Sequence, residues 1–166
     1  MKKILYLFLA LASYGISAQT TAEEYLNSAV SKFYLDDMKG AIVDYTKAII
    51  IDPSYVEAYR KRGLAKEELK DFSGAIVDYT KAIEIDPNYA PAYRDRGIAK
   101  GKLKDHSGVV EDYTRAIEID PNYATAYFNR GVSKFYLGDT IGACKDARKA
   151  QELGDDASIL IKKACN

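Results

Sequence analysis

Few residues of this sequence have the types and spacing that catalysis or metal binding requires. The chain has one histidine, His106, and two cysteines, Cys144 and Cys165. A structural zinc site takes about four Cys or His ligands, and a Ser–His or Cys–His mechanism needs a histidine beside its nucleophile. His106 falls between two predicted helices, where we expect an exposed turn histidine. We therefore expect no catalytic residues, no metal site, no cofactor and no enzyme activity.

Charged residues at regular spacing are the other place where chemistry could lie. Four aspartates and three arginines each recur 34 residues apart: Asp44, Asp78, Asp112 and Asp146, and Arg62, Arg96 and Arg130. If the helices that carry them are antiparallel, the two rows lie at similar heights. Structural ion pairs are the favoured interpretation, and a row of catalytic acids is the remote one.

Composition and charge exclude several classes of protein. The 166 residues, about one domain's worth, include 24 basic and 24 acidic residues, so the net charge is zero. Proteins that bind nucleic acid ordinarily carry a basic surplus or a basic face, so we expect no nucleic-acid partner. With 29% charged and 48% hydrophobic residues, the chain resembles neither a disordered tail nor a membrane bundle.

Residues 1–18 predict a cleaved signal peptide. Lys2 and Lys3 precede an apolar run at 4–12, which is too short to span a bilayer comfortably, and small and polar residues follow up to Ala18. There is no cysteine near the predicted cleavage site after Ala18, so a lipoprotein anchor is not expected. We expect a periplasmic or secreted protein without membrane insertion after cleavage, and the alternative is an uncleaved anchor.

The rest of the sequence repeats with a period of 34 residues. The segment IDPSY at 51–55 recurs as IDPNY at 85–89 and 119–123, and AIVDYTKAI at 41–49 recurs unchanged at 75–83. Apolar and small residues at helical spacing predict two helices in each unit. The units are 22–55, 56–89, 90–123 and 124–157, and residues 158–166 follow as a short amphipathic segment.

These units resemble the tetratricopeptide repeat (TPR) family. The residues of the second unit that match the family pattern are Tyr59, Gly63, Ala75, Tyr79, Ala82 and Pro87. In the fourth unit, Ala147 and Asp155 replace the second aromatic residue and the proline. The resemblance implies an all-α solenoid of four tandem helix-turn-helix repeats, in which residues 158–166 form a C-terminal capping helix. An aspartate at each turn (Asp37, Asp71, Asp105 and Asp139) is expected to cap the second helix.

The resemblance also implies a concave groove, lined by the first helix of each unit, that binds a protein or peptide partner. The groove residues implied are Leu26, Val30, Phe33 and Tyr34, then Arg60 and Leu64, then Arg94, Ile98 and Lys102, and finally Phe128, Val132, Phe135 and Tyr136. Arg60 and Arg94 occupy equivalent positions, so they should point the same way and hold a carboxylate. Gly101 removes a side chain from the groove and could open a pocket. For Phe33 and Phe135, the alternative is packing between units.

Two functions remain open. In the first, the chain is an adaptor or scaffold that holds a partner segment in the groove. In the second, it is a structural module of the cell envelope that self-associates into a homo-oligomer through an uncovered N-terminal face around Leu26, Val30 and Phe33. The TPR subclass that clamps chaperone C-termini carries an asparagine in the groove, whereas Val30 and Leu64 occupy those positions here.

The two cysteines allow two states. Cys144 lies in the second predicted helix of unit four, and Cys165 lies in the capping segment. In an oxidising compartment they would bond and attach the capping helix to the array. Otherwise both are free thiols, and that of Cys144 is buried whereas that of Cys165 is not.

Overall fold

The computed structural model describes residues 20–165, and over this range the chain folds only into α-helices joined by short turns. The predicted signal peptide, residues 1–18, lies outside the described residues. The helices of the described range, in chain order, are α1 (Ala22–Tyr34), α2 (Met38–Ile51), α3 (Val56–Glu68), α4 (Phe72–Ile85), α5 (Ala90–Lys102), α6 (His106–Ile119), α7 (Ala124–Tyr136), α8 (Thr140–Glu152) and α9 (Ser158–Ala164). The predicted all-α solenoid with a short C-terminal helix is confirmed.

The helices stack in the order of the chain. Each of α1 to α8 packs against the next helix, and α9 folds back mainly onto α8. The first helices of successive units also touch, α1 with α3 and α3 with α5, so they form one row. None of the helices between residues 20 and 165 is long and apolar enough to cross a membrane.

The turn inside each unit ends one helix and starts the next. Its first part holds a residue with positive φ: Asp36, Lys70, Lys104 and Gly138. The aspartate that follows then caps the second helix, as predicted; Asp37 Oδ1 accepts from the amide of Gly40 at 2.9 Å. A Cβ on Gly40 would lie 2.0 Å from Asp37 Oδ2, so a larger residue there would displace the capping carboxylate.

Buried tyrosines and small residues fill the space between paired helices. Tyr45, Tyr79 and Tyr113 are at most 1% exposed, and each comes from the second helix of its unit. Across from Tyr79, a Cβ on Gly63 would lie 2.5 Å from its Cε1 atom. The tyrosine ring thus occupies the volume that the glycine leaves free.

The predicted ion pairs between the paired helices are confirmed. In unit two, Arg62 Nη2 and Nε donate to Asp78 Oδ1 and Oδ2 at 2.6 and 2.9 Å. Lys66 adds a second cation at 2.7 Å, and Asp78 is only 1% exposed. Units three and four repeat the pair with Arg96–Asp112 and Arg130–Asp146.

The same arginines also join consecutive units. Arg62 Nη1 donates to Thr46 of unit one at 3.1 Å, and Arg96 Nη1 donates to Thr80 of unit two at 3.0 Å. Arg130 makes the equivalent bond to Thr114 of unit three. One guanidinium therefore holds its own helix pair together and fixes it against the preceding unit.

Unit one has no such arginine and uses other donors. Lys32 and Ser28 donate to Asp44 Oδ2, and Lys47 donates to Oδ1. Burial alone would raise the pKa of Asp44, but these hydrogen bonds lower it below its ordinary value. Because the folded pKa lies below the unfolded one, the stability that Asp44 contributes is lost as the pH falls through its folded pKa.

Replacing Asp78 by alanine should destabilise the array strongly. The substitution leaves the charges of Arg62 and Lys66, which are 16% and 21% exposed, without their buried partner. We expect the free energy of unfolding to fall by about 3–5 kcal/mol, measured by urea denaturation. Glu84→Ala, which removes an exposed pair with Lys81, should change it little. Equal effects of the two substitutions would contradict this role of Asp78.

Two glycine-to-alanine substitutions should change the free energy of unfolding in opposite directions. Gly63→Ala places a methyl group against the buried ring of Tyr79 and should lower the free energy of unfolding by about 1–2 kcal/mol. At Gly101 the nearest atom to a new Cβ is Val109 Cγ2, at 3.7 Å. Gly101→Ala should therefore raise stability by about 0.5 kcal/mol, because alanine favours the helix. Thermal and urea denaturation of both variants would show whether the signs differ.

Candidate functional site

The predicted groove residues all lie on the row of first helices, but the structure separates them into four groups. Leu26 does not belong to a surface, since it is 7% exposed and packs in the core with Ala29 and Tyr45. Val30 and Phe33 are half-buried against the same cluster. The expectation that Leu26, Val30 and Phe33 form an uncovered N-terminal face is therefore wrong for Leu26 and holds only partly for the other two.

The physical reason is that α1 packs on α2 and also touches α3, so these two helices cover its apolar side chains. The most exposed apolar residues of unit one are instead Tyr34 and Leu35, at 83% and 80%. The residues Val30, Phe33, Tyr34 and Leu64 surround a cavity of only about 90 Å³. This part of the row is mostly packed.

The second group is Arg60 and Arg94, which meet as predicted but around a carboxylate of the chain itself. Arg60 Nε donates to Asp95 Oδ2 at 2.6 Å, and Arg94 Nε donates to Asp95 Oδ1 at 2.8 Å. Asp95 is 2% exposed. The substitution Arg60→Glu would place a second carboxylate beside the buried Asp95, which is unfavourable. The bond from Arg60 joins α3 to α5, and Arg94, on the same helix as Asp95, supplies the second positive charge to the buried carboxylate.

Sequence reasoning missed Asp95, although a signal was present. The equivalent positions of the other units are Asn27, Lys61 and Asn129, so only unit three has an acid there. It lies directly after Arg94 and one period after Lys61, beside the position of Arg60. An acidic residue that occurs in only one unit, next to arginines, was the signal for this internal ion pair.

Beside these arginines, the hydroxyl groups of the buried Tyr79 and Tyr113 are hydrogen bonded. Tyr79 donates to Glu67 Oε2, and Tyr113 accepts from Asn129 Nδ2 at 3.2 Å. Burial raises the pKa of Glu67, and the hydrogen bond from Tyr79 offsets part of that rise. Burial also raises the pKa of Tyr79, so its hydroxyl stays protonated.

The third group lines an open cavity of about 740 Å³ between α5, α6 and α7. The groove residues Ile98, Lys102, Val132 and Tyr136 contribute to its walls, together with Gly101, as predicted. Ile98 is 40% exposed and Tyr136 is 68% exposed. Lys104, in the turn before α6, also lines the cavity. The cavity is of the size that accommodates ligands and large side chains.

His106 lies on this cavity and is not the exposed turn residue that we expected. It is the first residue of α6 and is half-buried. Its ring stacks on Tyr136, with ring centroids 4.7 Å apart and planes 15° from parallel. Tyr136 comes from unit four, so the stack joins two units, which the sequence position of His106 alone does not indicate.

The fourth group forms a smaller apolar pocket at the C-terminal end of the row. Phe128, Phe135, Val132 and Tyr136 line it from α7, and Ile159 and Leu160 line it from α9, around about 210 Å³. Phe128 and Phe135 are half-buried and pack against the cluster of α7, α8 and α9. For Phe135, as for Phe33, packing and partial exposure coexist.

The short helix α9 is attached to the array by a disulfide. Cys144 of α8 and Cys165 after α9 are bonded, with Cα atoms 5.0 Å apart and a sequence separation of 21 residues. Leu160 and Ala164 are buried on the inner side of α9, whereas Ile159 is 71% exposed. Among residues 20–165, no three His, Cys, Asp or Glu side chains are grouped so that they could hold a metal ion.

Comparisons with known proteins agree with this architecture. Residues 56–89 match a family model described as tetratricopeptide repeat, and residues 105–138 match one described as TPR repeat. The second match begins at the turn of unit three and ends after α7. No curated protein sequence matches the chain.

Solved structures extend the likeness over most of the chain. A crystal structure of MamA is 26% identical with a TM-score of 0.77, over 81% of this chain and 78% of that one. A crystal structure of MamA protein is 25% identical, with a TM-score of 0.81 over 86% and 80%. The first TPR of Spaghetti (RPAP3), bound to HSP90 peptide SRMEEVD, is 27% identical with a TM-score of 0.68, over 75% and 99%. Together these matches support the tetratricopeptide repeat family.

Loss of the disulfide should destabilise the C-terminal end. The bond closes a loop of 21 residues, which in the chain-entropy model contributes about 3 kcal/mol. Cys144→Ser with Cys165→Ser, or reduction of the wild type, should lower the free energy of unfolding by that order in urea denaturation. Reductant should have no further effect on the double serine variant. Free thiols in the native, unreduced protein would contradict the bond.

Proposed function

We propose that this chain, built of tetratricopeptide repeats, is a non-catalytic adaptor or scaffold that binds a segment of a partner protein. The binding surface is the row formed by α1, α3, α5 and α7. The tetratricopeptide fold suggests a protein–protein interaction module. One structurally similar protein is described as bound to a peptide, which supports a peptide or an extended protein segment as the ligand.

The observation that carries the proposal is the open cavity between α5, α6 and α7. Elsewhere on the row the cavity is small or the charges are paired internally, as around Tyr34 and Asp95. At the junction of units three and four, Ile98 and Tyr136 are exposed and line a cavity of about 740 Å³. Apolar walls with a few polar groups are typical of a binding site.

We further propose that the protein works outside the cytoplasm, in the periplasm or as a secreted protein. Two features support this location. Residues 1–18 have the pattern of a signal peptide, and the disulfide between Cys144 and Cys165 suits an oxidising compartment. The intact mass of the full chain after expression and export would test cleavage after Ala18 and the disulfide together.

A second candidate function is self-association. It is supported by the exposed apolar residues of unit one, Tyr34 and Leu35, together with Ile50, which is 72% exposed. Sedimentation analysis over a range of concentrations would detect a dimer or a larger oligomer. A mass that falls to the monomer value in Leu35→Asp would support this candidate, and a monomer at every concentration would refute it.

Capture of a partner tests the main proposal. The exported wild type, a groove variant and a control variant are used as baits in an envelope extract of the native cells, and captured proteins are identified by mass spectrometry. The groove variant carries Ile98→Asp and Tyr136→Asp, and the control carries Val77→Asp and Ile141→Asp, which change exposed residues of α4 and α8. We expect a protein that the wild type and the control enrich and the groove variant loses.

Both variants should fold, because all four positions are at least 40% exposed. Circular dichroism of each variant checks this. Equal enrichment by all three baits would refute a partner site on this row. If the baits recover only this chain itself, the self-association candidate gains support.

A further inference from the structure

We propose that α9 is more than a cap and forms, with α7, one half of a two-part site for an acidic segment that carries a bulky apolar residue. The apolar pocket between α7 and α9 receives the apolar side chain. The neighbouring cavity between α5, α6 and α7 receives acidic side chains of the same segment. This inference rests on the proposed function and names the chemistry of the partner and the part of the row that recognises it.

The pocket between α7 and α9 has the size and lining for one apolar side chain. Its volume of about 210 Å³ is below the range of about 300–1,000 Å³ typical of whole small-molecule ligands. Phe128 and Phe135 supply aromatic surface on one side, and Ile159 supplies aliphatic surface on the other. Ile159 remains 71% exposed although α9 is packed, so a large part of the wall contributed by α9 is available to a partner.

The two cavities are adjacent, since Val132 and Tyr136 line both of them. These residues therefore form a shared wall, with Tyr136 held in place by its stack on His106. In an extended segment, residues two apart lie about 7 Å from one another on the same side. One short extended segment that crosses Tyr136 can thus place side chains in both cavities.

The charge of the larger cavity selects an acidic segment. Lys102 and Lys104 line it together with His106, and no aspartate or glutamate of residues 20–165 is among its lining residues. Both lysines are exposed, so their charges face solvent and a bound ligand. The smaller pocket is lined by one charge of each sign, Lys163 and Asp156, which leaves the positive charge of the combined site mainly at the lysines of α5 and of the turn after it.

The disulfide makes the apolar half depend on redox state. The helix α9 has seven residues and is tied to α8 by Cys144–Cys165. Without the bond, α9 is no longer attached covalently to α8. The part of the pocket wall that Ile159 contributes then becomes less ordered. The larger cavity, between α5, α6 and α7, contains no residue of α9, so it should persist. The two halves can therefore be separated experimentally.

Fluorescence anisotropy with labelled peptide libraries tests the proposal on the exported full chain. In the test library, short peptides carry one central phenylalanine, leucine or methionine between acidic residues. One control library has alanine at the centre, and the other has lysines in place of the acidic residues. We expect saturable binding of the test library and at least about tenfold weaker binding of each control library.

Matched variants place the binding on the two halves. Ile159→Asp and Lys102→Glu should each weaken binding of the test library at least about tenfold, whereas Ile141→Asp and Lys39→Glu should bind like the wild type. Cys144→Ser with Cys165→Ser should lose the preference for a bulky central residue and keep the preference for acidic peptides. All substituted positions except Cys144 and Cys165 are exposed, so folding is retained.

Several results would overturn the proposal. These are no binding of the test library, equal binding of the alanine or lysine library, or wild-type binding by Ile159→Asp. If Ile159→Asp binds normally while the variant with Ile98→Asp and Tyr136→Asp does not, the row still binds a partner but α9 takes no part. If neither variant loses binding, the proposed function fails as well.

Discussion

The arrangement of this solenoid depends on a buried aspartate that is held by an arginine from the paired helix. Asp78, Asp112 and Asp146 each accept at least two hydrogen bonds from such an arginine. A buried carboxylate is unfavourable unless its charge and its lone pairs are satisfied. The aspartate therefore fixes the position of its arginine, and the third nitrogen of that arginine then bonds to a threonine of the preceding unit. The helix pair and the stacking of units are set by the same group.

Once the units are stacked in this way, the exposed surface of the first helices is largely determined. Near the middle of the row, Arg60 and Arg94 share the buried Asp95, so the charges most obvious in the sequence stabilise the array. At the junction of units three and four the repeat changes. Gly101 has no side chain, and the lysines at 102 and 104 extend into solvent. A binding surface arises where residues are not needed for stacking.

Departures from the repeat are therefore more informative about function than the repeat itself. Asp95, Gly101 and His106 each differ from the residues at equivalent positions in other units. Asp95 closes an internal ion pair, Gly101 opens a cavity, and His106 supports Tyr136 across a unit boundary. The residues that recur in every unit, such as the capping aspartates, serve the fold.

The amino-acid sequence by itself determined the helical repeat, the caps at Asp37 and its equivalents, and the pairing of Arg62 with Asp78. These features depend on spacing within one unit, and a period of 34 residues repeats that spacing without change. Only the tertiary structure decided that Leu26 is buried, that Asp95 lies between Arg60 and Arg94, and that His106 stacks on Tyr136. Each of these depends on how closely one unit approaches the next. That distance is set by the packing of all the side chains between them, which no local pattern of residues contains.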